Sequence, residues 1–188
     1  MTDANLTFDR AISLSTDLIY TVESGEVSPA EAVEHLNSIV SSTNGARGFF
    51  VALLTGESAL SKDVPDAFIE VFENHPEIIC DLLIKNLIMS STMAVTHNRN
   101  QDEKMEASSL SVKQKTKNII RRLDNEAMAR HILSMTDAIQ HKLATGEDDH
   151  GSDYSPFLQR WRYDAEQLKH GLAALAELNQ DQLPTTSA

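Results

Sequence analysis

Ile78, Ile79, Leu82, Leu83, Asn86, Leu87, Ser90, Met93, Ala94 and His97 recur at three- and four-residue steps. At 3.6 residues per turn these positions form one broad stripe over about five turns. A strand cannot present such a stripe, because its side chains alternate faces every two residues. The stripe has to be covered by other elements, so the segment predicts a central helix with further helices packed around it.

The rest of the chain carries the same period, punctuated by helix-end signals. Ala11, Ile12, Ser15, Leu18, Ile19 and Val22 predict a first helix, with Gly25 placed for a left-handed C-terminal cap. Ser28-Pro29-Ala30-Glu31 combines an N-cap hydroxyl, a proline at the first helical position and a glutamate three residues after the cap. The helix it opens carries Val33, Leu36, Ile39 and Val40 inward and is expected to end near Asn44-Gly45. The run Phe49 to Leu54, between Gly48 and Gly56, fits a short strand as well as a short helix. No second comparable run exists to pair with it, which decides for a short buried helix. Pro65 opens a brief helix bearing Phe68, Ile69 and Phe72, and His75-Pro76 interrupts it, with His75 as a cap.

After a break or bend at 98–102, Met105, Ser109, Val112, Thr116, Ile119, Ile120 and Leu123 keep helical spacing, with hydroxyls where an ordinary core carries leucine. Met128, His131, Ile132, Met135, Ile139 and Leu143 form another helix, closed by Lys142 and Gly146. A polar loop leads to Ser155-Pro156, a repeat of the cap-plus-proline start. Leu158, Trp161, Ala165, Leu168, Leu172 and Leu175 then predict one last helix ending near Leu178, with Trp161 inside. The expected fold is all-α: residues 1–188 as a single-domain multi-helix bundle of about seven or eight helices, with 1–5 and 180–188 disordered.

A chain of 188 residues can build its own core. The one cysteine, Cys80, lies in an apolar run and has no partner for an internal bridge, which suits a reducing compartment. The first ten residues lack a basic stretch leading into an apolar one, and no run approaches the roughly 18 consecutive apolar residues of a membrane span, so a cytoplasmic protein without a membrane partner is expected. Twenty-eight acidic against sixteen basic residues give −12, which opposes charge-driven binding to nucleic acid. Residues 1–98 hold four Lys/Arg against fourteen Asp/Glu, a net of −10, whereas 99–188 hold twelve against fourteen, a net of −2. Ordinary variation among solvated faces accounts for such an asymmetry, although it also allows two copies to attract each other.

Signatures of phosphate-binding loops, dinucleotide folds, nucleophile elbows, paired cysteines and zinc-protease helices are absent, which leans away from an enzyme. The pair Glu147/His150 has di-iron spacing but falls in a loop, and Glu31/His35, Asp137/His141 and Glu166/His170 read as exposed helical ion pairs. The acidic loop Glu147, Asp148, Asp149 and Asp153 lacks the spacing of a calcium loop, so no metal or cofactor is expected.

Polar groups where periodicity predicts burial are the informative exceptions. Asn86, Ser90, His97, Arg99 and Asp102, with Ser109, Lys113 and Thr116 on the following helix, are the candidates for a small polar or anionic ligand site; a satisfied internal network is the plainer explanation. The basic stretch Lys113, Lys115, Lys117, Arg121 and Arg122 reads as a solvated face. Phe157, Arg160, Arg162 and Tyr163 combine aromatic and guanidinium groups typical of interface hot spots. The leading expectation is a non-enzymatic interaction or regulatory protein that self-associates or binds a protein partner. A ligand-binding protein or enzyme centred on His97, Arg99 and Asp102 is the alternative.

Overall fold

A computed structural model describes residues 6–123 and 125–180. The expected disorder at both termini falls outside these residues, except at Gln180, the last residue of the final helix. Among the described residues the protein is all-helical: nine α-helices, one short 3-10 turn at Ala59–Ser61, and no strand. The helices are α1 (Phe8–Glu23), α2 (Pro29–Val40), α3 (Thr43–Thr55), α4 (Asp66–Glu73), α5 (Pro76–Arg99), α6 (Glu103–Arg122), α7 (Glu126–Thr145), α8 (Ser155–Trp161) and α9 (Ala165–Gln180). The chain divides into two compact units, Met1–Leu82 and Leu83–Ala188, and α5 begins in the first and continues into the second.

In unit 1, α3 packs against α1 and α2, and α2 also meets α4. A Cβ on Gly48 would stand 2.5 Å from the Ala11 Cβ, so only glycine permits α1 and α3 to lie this close. The core gathers Leu18, Leu36, Leu53 and Ile79 around three rings, Phe49, Phe50 and Phe72, whose centroids lie 5.4–5.8 Å apart. Gly25, at φ +70°, ends α1: its amide donates to the Val22 carbonyl and that of Glu26 to Thr21, closing two otherwise unpaired carbonyls. Ser28 and Glu31 form the expected reciprocal cap, Glu31 N donating to Ser28 Oγ (3.3 Å) and Ser28 N to Glu31 Oε2 (3.0 Å). The Glu23 carboxylate reaches the 3-10 turn, accepting from Ser58 Oγ (2.8 Å) and Ala59 N (2.7 Å), and these bonds hold its pKa below the ordinary value.

Two boundaries differ from expectation. Helix α2 stops at Val40, and Ser42 caps a new helix by accepting from Gly45 N, so Asn44-Gly45 lies inside the first turn of α3. The apolar run at 49–54 is thus the buried end of a 13-residue helix. His75 stands at the junction of α4 and α5, its Nε2 2.9 Å from Asn37 Oδ1 and its carbonyl accepting from Ile79 N.

In unit 2, α9 packs against α7 and α6. Leu83, Leu87, Ile88, Ile119, Met135, Ile139, Leu168 and Leu175 form the core. Tyr154, from the loop expected to be polar, is buried there, with its hydroxyl 2.7 Å from His131 Nδ1 and the Lys85 ammonium 5.7 Å from its ring centre. Helix α5 is long and apolar enough to cross a membrane by length and composition, but 67% of its most apolar window is buried within the protein, as in a core helix.

The last helix of the sequence reading is two helices. Arg162, at φ +50°, turns α8 off after Trp161. Asp164 then starts α9, accepting from the amides of Glu166 and Gln167 while its own amide donates to Gln167 Oε1. An acid followed three residues later by glutamine is a capping pair, and the unbroken leucine phase hides it. Ser155 does not cap α8; its hydroxyl donates to the Asp149 carbonyl.

Candidate functional site

Several charged groups of unit 2 collect along α9, at its start against the end of α5 and further along against the middle of α6. Arg99 occupies the last position of α5, where the helix dipole favours a cation, and Asp164 and Glu166 occupy the start of α9, where it favours anions. Arg99 donates through Nη1 to Asp164 Oδ2 (2.5 Å), through Nη2 to Asp164 Oδ1 (3.2 Å), and through Nε to Glu166 Oε2 (3.2 Å). The guanidinium, with the Gln167 amide, holds the Asp164 carboxyl down at about 2; in return Asp164 first, and then Glu166, raise the pKa of Arg99.

One helical turn apart on α6, Lys113 and Lys117 both reach Glu177 of α9, Lys113 at 3.3 Å. The Lys117 side chain is only 8% exposed. Burial pushes the Glu177 carboxyl up, but Lys117 and Lys113 together hold it below its ordinary value. Gln167 donates to Thr96 Oγ1 (2.8 Å), and Asn98 donates to both oxygens of Glu106 (3.1 Å each). Some of these groups line a cleft of about 260 Å³ floored by Ser91, Ala94 and Val95 and rimmed by Asn98, Arg99, Glu106, Leu110, Lys113, Glu166 and His170.

Of the eight ligand candidates, the cleft brings together Arg99 and Lys113. His97 and Asp102 shape the turn instead. The Asp102 amide donates to the His97 carbonyl beside Gln101, at φ +57°, and the Asp102 carboxylate caps α6 by accepting from Met105 N (3.1 Å). Ser90 donates to the Asn86 carbonyl (2.8 Å), and Thr116 donates to the Val112 carbonyl (2.8 Å). A hydroxyl inside a helix can satisfy itself on the preceding turn, so its burial implies no ligand. Asn86 and Ser109 are half-buried and do not line the cleft.

The supposed solvated basic face also proves structural in part, since Lys113 and Lys117 clamp α9. Asn98, Glu106, Glu166 and His170 complete the rim without having been singled out as a group. Only Asp164 and Gln167 carried a readable signal, their capping spacing. Chemically, the cleft offers matched charge. Arg99 and Lys113 are already held by carboxylates, and among the described residues no group of three or more His, Cys, Asp and Glu comes together to hold a metal.

The interface candidates separate at the α8 end. Tyr163 is 6% exposed, which removes it as a partner-facing anchor, and burial pushes its hydroxyl up to about 12. The Thr92 hydroxyl pulls the other way without meeting hydrogen-bond geometry. Trp161, expected inside, is 41% exposed and stacks on the Tyr163 ring at 5° between planes and 6.3 Å between centres. The left-handed residue between them breaks the helical phase and exchanges their places. Phe157 is half-buried, 6.1 Å from the Tyr163 ring. The side chains of Arg160 and Arg162 are exposed, and their guanidinium groups make no hydrogen bond or ion pair among the described residues.

The family described as "Uncharacterised conserved protein UCP020893" matches residues 7–178, and the chain belongs to it. No curated protein and no solved structure matches.

Proposed function

We propose that this member of the family is a non-enzymatic cytosolic interaction or regulatory protein that self-associates through α8. The observation that carries the proposal is Trp161: an exposed indole, held flat against Tyr163 and flanked by two guanidinium groups that have no partner among the described residues. Tryptophan and arginine are the residues most enriched at interface hot spots, and guanidinium is shed of water at lower cost than ammonium. Stacking on Tyr163 orders the indole in advance, which lowers the entropy lost on association. The formal charge of −12 supports a protein carrying carboxylates as the partner, a second copy included, rather than nucleic acid or an anionic membrane. Sedimentation velocity over micromolar concentrations should show association that Trp161→Ala abolishes; a wild-type chain that stays monomeric throughout that range contradicts the proposal.

The alternative, a small polar or anionic ligand, draws support from Arg99 and Lys113 sharing one cleft. It is the less favoured reading because both cations are already neutralised, so a ligand must displace Asp164, Glu166 or Glu177 to reach them.

A further inference from the structure

Unit 1 holds a second concave surface, an open groove of about 380 Å³ between α1 and α2. Leu14 and Leu18 of α1, Val27 of the connecting turn and Ile39 of α2 supply its apolar lining, with Asp17 and His35 among its polar residues. The turn that joins its walls is pinned at both ends, by Gly25 closing α1 and by the Ser28/Glu31 cap opening α2. The groove is therefore preformed, and the Asp17 carboxylate has no hydrogen bond or ion pair among the described residues.

Resting on the self-association proposed above, we infer that the occupant of this groove is α8 of a second copy, with Trp161 inserted between α1 and α2. Two observations select it. The groove is apolar and of a size to take a large aromatic side chain, and Trp161 is the exposed tryptophan of this chain. Charge then decides the orientation. Met1–Leu82 carries three Lys/Arg against fourteen Asp/Glu, a net of −11, whereas Leu83–Ala188 carries thirteen against fourteen, a net of −1. Arg160 and Arg162 beside the inserted indole would meet the acidic unit, Asp17 included. A symmetric contact of α8 with α8 would instead oppose four unpaired guanidinium groups, a juxtaposition that like-charge repulsion penalises. The contact is consequently heterologous, knob into groove, and propagates to open chains or a closed ring rather than stopping at a two-fold dimer.

Complementation tests this directly with full-length chains, each checked for native helix content by circular dichroism. Trp161→Ala removes the knob and Ser38→Trp fills the groove from its rim. Each variant alone should associate about thirtyfold or more weakly than wild type, the loss expected of a hot-spot residue. Mixed in equal amounts, the two should form a heterodimer and nothing larger, because only one knob and one groove remain intact between them. Self-association of Ser38→Trp at wild-type strength, with Trp161→Ala still monomeric, overturns the groove assignment and leaves the α8 proposal standing. Wild-type association by Trp161→Ala overturns both, as does a monomeric wild type. If Ser38→Trp loses native helix content, Asp17→Arg takes its place as the groove variant, expected to weaken association and to regain it when mixed with Arg160→Asp/Arg162→Asp; no recovery there overturns the inference.

Discussion

Where unit 1 closes its core with Phe49, Phe50 and Phe72 in mutual ring contact, unit 2 places charge and hydroxyl groups between its helices: Lys117 on Glu177, Arg99 on Asp164 and Glu166, Gln167 on Thr96. Polar contacts in unit 1 concentrate at helix ends, as with Ser28/Glu31, Ser42/Gly45 and the Glu23 carboxylate on the 3-10 turn. Apolar contact tolerates many local arrangements, whereas a nearly buried ammonium requires one acceptor in one place. Unit 1 is thus held by area and unit 2, in addition, by specific pairs whose loss leaves a charge stranded.

The comparison can be broken most forcefully at Phe50, which is 1% exposed. Phe50→Ala should cost about 3–5 kcal/mol, read from the urea midpoint, because it removes a ring and leaves a cavity. A cost below about 1 kcal/mol would mean that the three rings are not the centre of unit 1.

Unit 2 should respond less to the loss of area than to the loss of a partner. Glu177→Ala leaves Lys117 without its acceptor and should cost about 1–3 kcal/mol, less than for a fully buried pair because Glu177 is itself partly exposed. Lys117→Met removes charge and demand together and should cost less than Glu177→Ala. The reverse order in urea unfolding would show that Lys117 acts through its methylene packing instead.

The smallest effect is the acid response. The folded pKa of Asp164 is depressed from 3.8 to about 2, so its contribution to stability is complete above 3.8 and is lost as pH falls toward 2. Glu23 and Glu177, also lowered, act in the same direction. Arg99→Gln should flatten this acid limb by modestly lowering stability above pH 3.8 while leaving it nearly unchanged near pH 2, followed by fluorescence of the single Trp161 beside Tyr163. An unaltered acid limb would remove Arg99 as the cause of the Asp164 shift.

Helix content and most helix starts and stops were legible in the residues, because they depend on interactions within about four positions: the stripe from Ile78 to His97, Gly25 as a C-terminal cap, the Ser28/Glu31 pair, Gly146 after α7. Even Asp164/Gln167 was there to be read, masked only by leucines that kept their phase across the break. The inner arrangement of the candidate site was not legible. Arg99 meets Glu166 across 67 positions and Lys117 meets Glu177 across 60, and helical periodicity states which face turns inward without stating which helix it faces. The same ignorance of neighbours made Lys117 look solvated and Ser90 and Thr116 look like ligand donors. It also put Trp161 inside and Tyr163 outside, because a single left-handed residue at Arg162 costs only about 1–2 kcal/mol, too little to be excluded locally and enough to be decided by the packing around it.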